Sequence, residues 1–322
     1  MTLVDPDGEQ IREMVAPVLG GAAIREVARV DGGLVNAVYR VTPDTGDVVL
    51  ALRVAAPGAA GLEAERRLLA RLAPVLPVPE VLWADVTGEC CGHPYLVYRW
   101  IEGVTLNACR RSAPPAEFLS LAEPLGGLLA RVAGVRDPEG IPGEGIPRGG
   151  VGLREAGAEI VRARSSLRTG AARARLGEAI ADRFEALLDR YEGVLCSLDA
   201  TRGLVHGDLG GRNVLVAPAG HGAWRVSGLL DWESATVGGA LWDVGSLFRY
   251  SRRYAPTFLA QFARGYRAAG GELPGDWWLI ARLLDATRVV SILDEPRPLP
   301  GVFAECRELI DALLVDYATL VT

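Results

Sequence analysis

The stretch His206–Val216 reads HGDLGGRNVLV, and LLDWE follows at Leu229–Glu233. Within these stretches Asp208, Asn213 and Asp231 carry side-chain oxygens at fixed intervals. Short apolar runs flank the first stretch, a glycine-rich turn follows, and a returning strand is predicted before Asp231. Metal-dependent phosphoryl transfer needs one carboxylate facing the attacking hydroxyl, and an amide and a second carboxylate that hold metal ions. Alternatively, Asp208 and Asn213 are turn residues of a polar loop.

At these residues the chain resembles the aminoglycoside phosphotransferase family, a branch of the protein-kinase-like fold. The family pattern is His-x-Asp-x4-Asn and then an apolar strand that ends in Asp, and His206, Asp208, Asn213 and Asp231 fill it. The resemblance implies an α+β, bilobal fold. An N-terminal antiparallel-sheet lobe at residues 1–101 would bind the nucleotide. A mainly helical C-terminal lobe at residues 102–322 would carry the catalytic loop and the substrate site.

The composition is that of an ordinary globular protein. The chain has 322 residues, of which 49% are hydrophobic and 23% are charged, which leaves room for two lobes with a core each. A net charge of −6 argues against a nucleic-acid partner. It agrees with a cationic or neutral small-molecule substrate, although solubility alone also explains it.

The sequence predicts a cytoplasmic protein without a membrane partner. No apolar run is long enough to span a bilayer, and the first twenty residues lack the pattern of a signal peptide. The five cysteines are odd in number and lack metal-ligand spacing, which favours a reducing compartment. A monomer and a homodimer both remain open.

The chain contains no lysine, because all 34 basic residues are arginine. This excludes a Walker P-loop, which ends in GK[ST]. In the predicted strand at residues 48–54, Arg53 stands where the resembled family has its phosphate-pairing residue, and its planar fork suits two phosphate oxygens. The resemblance implies that Glu65, on the following predicted helix, orients Arg53, with Glu63 as the fallback. Exposed ion pairs with neighbouring arginines are the alternative for both glutamates.

Two further stretches are expected to contact the nucleotide. DGGLVNAVYRV, at residues 31–41, stands where the family has its loop over the phosphates, and Gly33 and Asn36 are its predicted contacts. A plain β-turn is the alternative there. The predicted strand at residues 93–101 ends before Glu102-Gly103, which resembles the hinge between lobes. An adenine ring would hydrogen-bond to the backbone around the last three strand residues, Arg99, Trp100 and Ile101.

Helical periodicity dominates the rest of the chain. The predicted helices lie before residue 22 and at 61–72, 114–135 with a kink at Pro124, 153–175 with a break at 169–170, 177–198, 240–248, 255–269, 275–294 and 302–320. The breaker-rich stretch 137–152 is predicted to be a loop and is a candidate to lie over the site.

The resemblance implies a role for each candidate residue. Asp208 would orient the acceptor hydroxyl and accept its proton, and Asn213 and Asp231 would bind magnesium (Mg²⁺). Asp243 would hydrogen-bond the backbone of the catalytic loop. The predicted contacts of the acceptor are Glu233, Asp285 and Arg288, since carboxylates suit an aminosugar ammonium group. Solvated helix ends are the alternative for Asp285, and a carboxylate that supports the metal site is the alternative for Glu233.

The leading hypothesis is a kinase that transfers the γ-phosphate of ATP or GTP to a hydroxyl of a small molecule. An aminoglycoside, another antibiotic or an aminosugar is the expected acceptor, which implies a role in antibiotic resistance. A non-catalytic nucleotide-binding module, or pseudokinase, is the alternative, and the missing lysine motivates it. A protein kinase is disfavoured because no Ala-Pro-Glu signal follows Asp231, and only eleven residues separate Asp231 from Asp243.

Overall fold

The structure is a computed structural model that describes residues 5–30, 36–46, 48–56, 61–135 and 153–321. These residues divide into two compact units. The sheet unit comprises residues 5–111 and 213–234, and the helical unit comprises residues 112–135, 153–212 and 235–321, each without the gaps just given. The lobe boundary at residues 101/102 stays a prediction.

Within this part of the chain the strands are β1 (Ile24–Val30), β2 (Ala37–Pro43), β3 (Leu50–Val54), β4 (Val81–Asp85), β5 (Tyr95–Arg99), β6 (Val104–Thr105), β7 (Leu153–Arg154), β8 (Arg202–Val205), β9 (Val214–Gly220), β10 (Ala223–Leu229) and β11 (Thr236–Gly239). The α-helices are α1 (Gly8–Leu19), α2 (Leu62–Leu72), α3 (Leu106–Ser112), α4 (Pro115–Leu119), α5 (Ala122–Gly134), α6 (Ala156–Arg168), α7 (Ala172–Leu176), α8 (Glu178–Ser197), α9 (Leu241–Leu247), α10 (Pro256–Ala268), α11 (Trp277–Ile292) and α12 (Pro300–Val321).

The sheet unit is built on a five-stranded antiparallel sheet in the order β1-β2-β3-β5-β4. Helix α1 begins with a capping box, in which Asp7 accepts hydrogen bonds from backbone N–H groups and Gln10 reciprocates. Its apolar face packs with one side of the sheet to form the core of this unit. The buried members of that core include Met14, Val15, Val41, Leu50, Leu52 and Val97. The sheet therefore gives β3 and Arg53 a rigid base.

The β9–β10 hairpin belongs to the sheet unit and fixes the ends of two predicted metal-site stretches. Leu229 pairs with Val214, and the N–H of Leu230 donates to the carbonyl of Asn213 at 2.8 Å. Asn213 therefore precedes β9 at the same end of the hairpin at which Asp231 follows β10. Because the register of a hairpin fixes which residues share an end, Asn213 and Asp231 lie close together although they are separated in the sequence.

The helical unit packs α5 against α10 and α11 against α6, α9 and α12. A Cβ on Gly126 of α5 would lie 2.0 Å from the carbonyl oxygen of Phe262, so this close helix crossing requires glycine. A small sheet in the order β7-β11-β8 lies within the same unit. Its strand β8 approaches α5 so closely that a Cβ on Gly203 would lie 1.9 Å from the carbonyl oxygen of Ala133. This packing fixes the start of the predicted catalytic loop.

The fold prediction is confirmed as α+β, with an antiparallel sheet in the N-terminal part and helices in most of the remainder. The predicted break at residues 169–170 is confirmed, since α6 ends at Arg168 and α7 begins at Ala172. The single helix at 114–135 is wrong, because the chain turns between α4 and α5. Pro124 causes no kink since it lies in the first turn of α5, where its missing N–H has no helical acceptor to lose.

Two further predictions concern the loop at residues 137–152 and the lack of a membrane-spanning segment. The loop predicted at 137–152 lies outside the described residues. Across the residues that are described, no helix combines the length and the apolar character needed to cross a membrane.

Candidate active site

The predicted catalytic loop begins where β8 ends and is held by a buried carboxylate. Asp243, in the first turn of α9, accepts the backbone N–H of His206 at 2.7 Å and that of Gly207 at 3.0 Å. Burial raises the pKa of Asp243, and the nearby His206 and the two N–H groups oppose that shift. The hydrogen bond that the resemblance implies for Asp243 is therefore present, and it fixes the backbone two residues before Asp208.

Asp208 carries a carboxylate with a quarter of its side chain exposed. Its Oδ2 accepts a hydrogen bond from Arg212 at 2.8 Å, and its backbone N–H donates to Nδ1 of His206 at 3.3 Å. The side chain of His206 is fully buried beneath the loop. His206 thus braces the loop, and the carboxylate of Asp208 is the group of this loop that a hydroxyl could approach.

Sequence reasoning did not single out Arg249, which pairs with a predicted substrate contact. Its Nε and a terminal nitrogen donate to the two carboxylate oxygens of Asp285 at 2.8 and 2.7 Å. Burial alone would lower the pKa of Arg249, but Asp285 outweighs it and, with a smaller contribution from Asp208, raises that pKa. Asp285 is only 3% exposed, so its carboxylate is engaged inside the helical unit. A helix periodicity carries no information about such a pair, 36 residues apart.

The remaining substrate candidate of the helical unit contacts the catalytic loop directly. Arg288, on α11, donates from a terminal nitrogen to the carbonyl oxygen of Gly207 at 2.5 Å. Arg154 is 9% exposed, and its charge lies near that of Arg288. Its buried Nε lies 4.0 Å from Glu159 and makes no hydrogen bond within the part of the chain that the structure describes. Burial is the main reason that the pKa of Arg154 falls to about 10, and the charge of Arg288 adds to it. The helical unit thus places positive charge beside the loop.

The two predicted metal ligands lie at the open end of the β9–β10 hairpin. Asn213 is 7% exposed, and the side chain of Asp231 is 38% exposed. Asp231 has a φ of +67°, a left-handed backbone conformation that costs a non-glycine residue about 1 kcal/mol or more. An amide oxygen and a carboxylate are the hard ligands that Mg²⁺ prefers, so this donor set fits the ion.

Arg53 is the centre of an acidic cluster in the sheet unit. One terminal nitrogen lies 2.5 Å from Glu65, and the other lies 2.5 Å from Glu233 and 3.6 Å from Asp231. Burial alone would lower the pKa of Arg53, but Glu65, Tyr98 and Asp231 together hold that pKa above its usual value. The predicted contact between Arg53 and Glu65 is present, and the fallback Glu63 instead pairs with two arginines on the surface of α2.

The other predicted nucleotide contacts fall partly within the described residues. The amide of Asn36 donates to Oε2 of Glu233 at 3.2 Å, so one carboxylate oxygen accepts hydrogen bonds from both Asn36 and Arg53. Gly33 lies outside the described residues. Glu233, which the sequence placed among the substrate contacts, is therefore engaged with the predicted phosphate-binding residues.

The last residues of the strand before the predicted hinge differ in whether their backbone N–H groups are used. The N–H groups of Arg99 and Trp100 donate to the carbonyls of Glu80 and Val49 at 3.0 and 2.9 Å. Where the chain is described, no hydrogen-bond acceptor is found for the N–H of Ile101. A base that bound at this hinge would thus find its N–H donor at Ile101.

The sheet unit carries the Arg53–Glu65 pair, and the helical unit carries a braced His-x-Asp loop; both are features that the resemblance to a phosphotransferase family implied. The profile of the phosphotransferase enzyme family, APH, matches residues 26–278. The chain belongs to this family.

Solved structures share the fold at low sequence identity. The GDP and kanamycin complex of APH(2")-IIia has a TM-score of 0.73 and 19% identity, over 94% of this chain and 97% of that one. A thermostable mutant of APH(4)-Ia, in a ternary complex with AMP-PNP and hygromycin B, has a TM-score of 0.63 and 18% identity, over 95% and 97%. Choline kinase LicA from Streptococcus pneumoniae has a TM-score of 0.61 and 15% identity, over 96% and 99%. No curated protein sequence matches the chain.

Proposed function

We propose that this phosphotransferase moves the γ-phosphate of ATP or GTP to a hydroxyl group of a small molecule. The observation that carries the proposal is the braced loop, in which Asp243 fixes the backbone and the carboxylate of Asp208 stays partly exposed. A carboxylate so held can orient an acceptor hydroxyl and take its proton, because positioning contributes most of the rate in phosphoryl transfer.

The nucleotide contacts are assigned to the sheet unit. Arg53 would pair with phosphate oxygens while Glu65 keeps its side chain oriented, and Asn36 and Gly33 would contribute from the neighbouring loop. The purine would lie against Arg99 and Trp100 and accept a hydrogen bond from the N–H of Ile101. This assignment is supported by the short contacts of Arg53 and by the unused donor at the hinge.

Mg²⁺ is assigned to Asn213 and Asp231. The ion, when bound, neutralises the charge that develops on the phosphates. The protein residues hold it with oxygen ligands that the hairpin register brings to one end, and the strained backbone of Asp231 is the kind of outlier that clusters at functional sites.

The acceptor is proposed to be an aminoglycoside, another antibiotic or an aminosugar, with Glu233, Asp285 and Arg288 as its contacts. Kanamycin and hygromycin B in the similar structures support this class, and a choline kinase in the same set extends it to other alcohols. All three residues have partners in this structure: Arg249 engages Asp285, and Arg53 engages Glu233. Arg288 donates to the carbonyl oxygen of Gly207. Such an acceptor would make the protein an antibiotic-resistance enzyme.

A nucleotide-binding module without catalysis is the second candidate. It is favoured by the complete absence of lysine and by the ion pair of Arg212 with Asp208 at 2.8 Å. For both candidates we propose a cytoplasmic monomer or homodimer whose ligands are small molecules and which binds neither nucleic acid nor membrane. The net charge of −6 supports this set of partners.

The test is nucleotide consumption with and without Mg²⁺ against a panel of aminoglycosides, macrolides, aminosugars and choline-like alcohols. We expect consumption with at least one acceptor, and we expect Asp208→Ala to remove it while the variant remains folded. Nucleotide binding without consumption on the whole panel would favour the binding module instead.

A further inference from the structure

Glu233 occupies an unusual position among the residues assigned to the nucleotide phosphates. Its Oε2 accepts hydrogen bonds from Arg53 at 2.5 Å and from Asn36 at 3.2 Å. Both donors were predicted from the sequence to bind phosphate, and the two are brought onto one oxygen atom that belongs to the protein itself. A carboxylate oxygen and a phosphate oxygen are both anionic acceptors of charge-assisted hydrogen bonds.

The positive charge of Arg53 is already balanced by carboxylates of the protein. Its two terminal nitrogens face Glu65 and Glu233, and Asp231 lies a further 3.6 Å from the second nitrogen. Three carboxylates therefore surround one guanidinium that is 7% exposed. A nucleotide phosphate would add more negative charge to this cluster, so its binding to Arg53 is favoured when one carboxylate leaves.

Glu233 is the carboxylate that is free to leave. Glu65 is 2% exposed and is anchored on α2, whereas the side chain of Glu233 is 42% exposed. The residue before it, Trp232, is fully buried, and its indole N–H donates to the carbonyl of Leu229 at 3.0 Å. The backbone at Glu233 is thus anchored, and a rotation of its side chain suffices to release Arg53 and Asn36.

We propose that Glu233 is an internal substitute for a nucleotide phosphate, which holds Arg53 and Asn36 in the nucleotide-free protein and is displaced when the nucleotide binds. Glu233 then sets the apparent affinity for the nucleotide, because only the fraction of molecules with Arg53 released is competent to bind. The inference rests on the proposed function in one respect, since it takes a nucleotide as the ligand of Arg53.

The test compares Glu233→Gln and Glu233→Asp with the unaltered chain. The first variant removes the negative charge at constant size, and the second keeps the charge but shortens its reach to Arg53. A fluorescent ADP analogue is titrated in EDTA, so that no metal ion contributes, and again in Mg²⁺. If the paired state is populated to about 90%, both variants should bind ADP about tenfold more tightly in EDTA.

Two controls separate this effect from others. Glu63→Gln removes the same charge from a half-buried carboxylate of the same unit, which pairs with Arg66 and Arg67 and not with Arg53 among the described residues. This variant should leave the Kd for ADP unchanged. Arg53→Met should weaken binding in either background. Thermal unfolding of each variant shows whether a change in Kd merely follows a loss of structure.

The outcomes distinguish the displacement from the proposed function. Unchanged or weaker ADP binding by both Glu233 variants in EDTA, with Arg53→Met still harmful, overturns the displacement and leaves the proposed function intact. Weaker binding confined to Mg²⁺ also overturns it, since Glu233 would then act as a metal ligand. Absence of ADP binding in every protein, including the unaltered chain, contradicts the proposed function itself and the displacement with it.

Discussion

Arg53 does what a lysine at the same position would do less well. Its forked guanidinium engages Glu65 with one nitrogen and Glu233 with the other, each at 2.5 Å, whereas an ammonium group is a single point charge. The resemblance to the family implied this partner on the following helix, and the contact between Arg53 and Glu65 is present. It could not predict Glu233 as a partner, because that contact spans 180 residues and depends on tertiary packing.

We expect Arg53→Ala to raise the KM for the nucleotide at least about tenfold, because a bidentate, charge-assisted contact to phosphate is lost. The measurement is the initial rate as a function of nucleotide concentration with acceptor in excess. Arg66→Ala, which removes an arginine from the surface of α2, serves as the control. An unchanged KM for Arg53→Ala would show that the phosphates bind elsewhere.

At the scale of secondary-structure elements, the β9–β10 hairpin brings the two predicted metal ligands, Asn213 and Asp231, to the same end of the hairpin. The turn and both strands were predictable from glycine, proline and apolar alternation. The left-handed conformation of Asp231 was not, because asparagine, aspartate and glycine are the residues that tolerate it and nothing in the pattern requires it. Inside this hairpin His221 has the same backbone conformation, with a φ of +52°.

We predict that Asp231→Gly increases the free energy of unfolding by up to about 1 kcal/mol while Mg²⁺-dependent activity is lost, because glycine relieves the strain and removes the metal ligand. His221→Gly is the matched control, since it should give a similar gain in stability with full activity. Urea unfolding and the Mg²⁺-dependent rate are the measurements. Activity retained in Asp231→Gly would remove Asp231 from the metal site.

The pairing between Arg249 and Asp285 explains the stability of α11 in the helical unit. We predict that Asp285→Asn lowers the free energy of unfolding by about 3 kcal/mol, because a buried guanidinium is left without its partner. Glu123→Gln, which breaks a pair that is exposed on both sides, should cost less than about 1 kcal/mol. Unchanged stability together with a higher KM for the acceptor would instead identify Asp285 as a substrate contact, as the sequence predicted.

At the scale of the whole molecule, the fold was predictable from a short motif. His206, Asp208, Asn213 and Asp231 identify a kinase-like arrangement, and the helical periodicity filled in most of the remaining elements. The break between α4 and α5 was missed because apolar residues continue across it with helical spacing. The ion pairs that Glu233 and Asp285 form with Arg53 and Arg249 were missed for a different reason, since long-range ion pairs leave no periodic signal in the sequence.

We predict that the intact protein is stabilised by Mg²⁺ and ADP together. At a free ligand concentration of about 100 times the Kd, the free energy of unfolding should rise by about 2.7 kcal/mol, because only the folded state binds. The measurement is thermal unfolding under three conditions: with ADP and Mg²⁺, with ADP and EDTA, and with Mg²⁺ alone. Equal stability under all three conditions would contradict a nucleotide site in this chain.

The most direct test of the central claim is mass spectrometry of the acceptor after incubation with nucleotide, Mg²⁺ and the protein. The account predicts that the unaltered chain adds a phosphoryl group to at least one alcohol of the panel. It predicts that Asp208→Asn, which keeps the shape of the side chain, adds none while it still binds nucleotide. Phosphorylation by Asp208→Asn at the rate of the unaltered chain would contradict the role of Asp208, and bound nucleotide without any phosphorylated acceptor would favour the non-catalytic module.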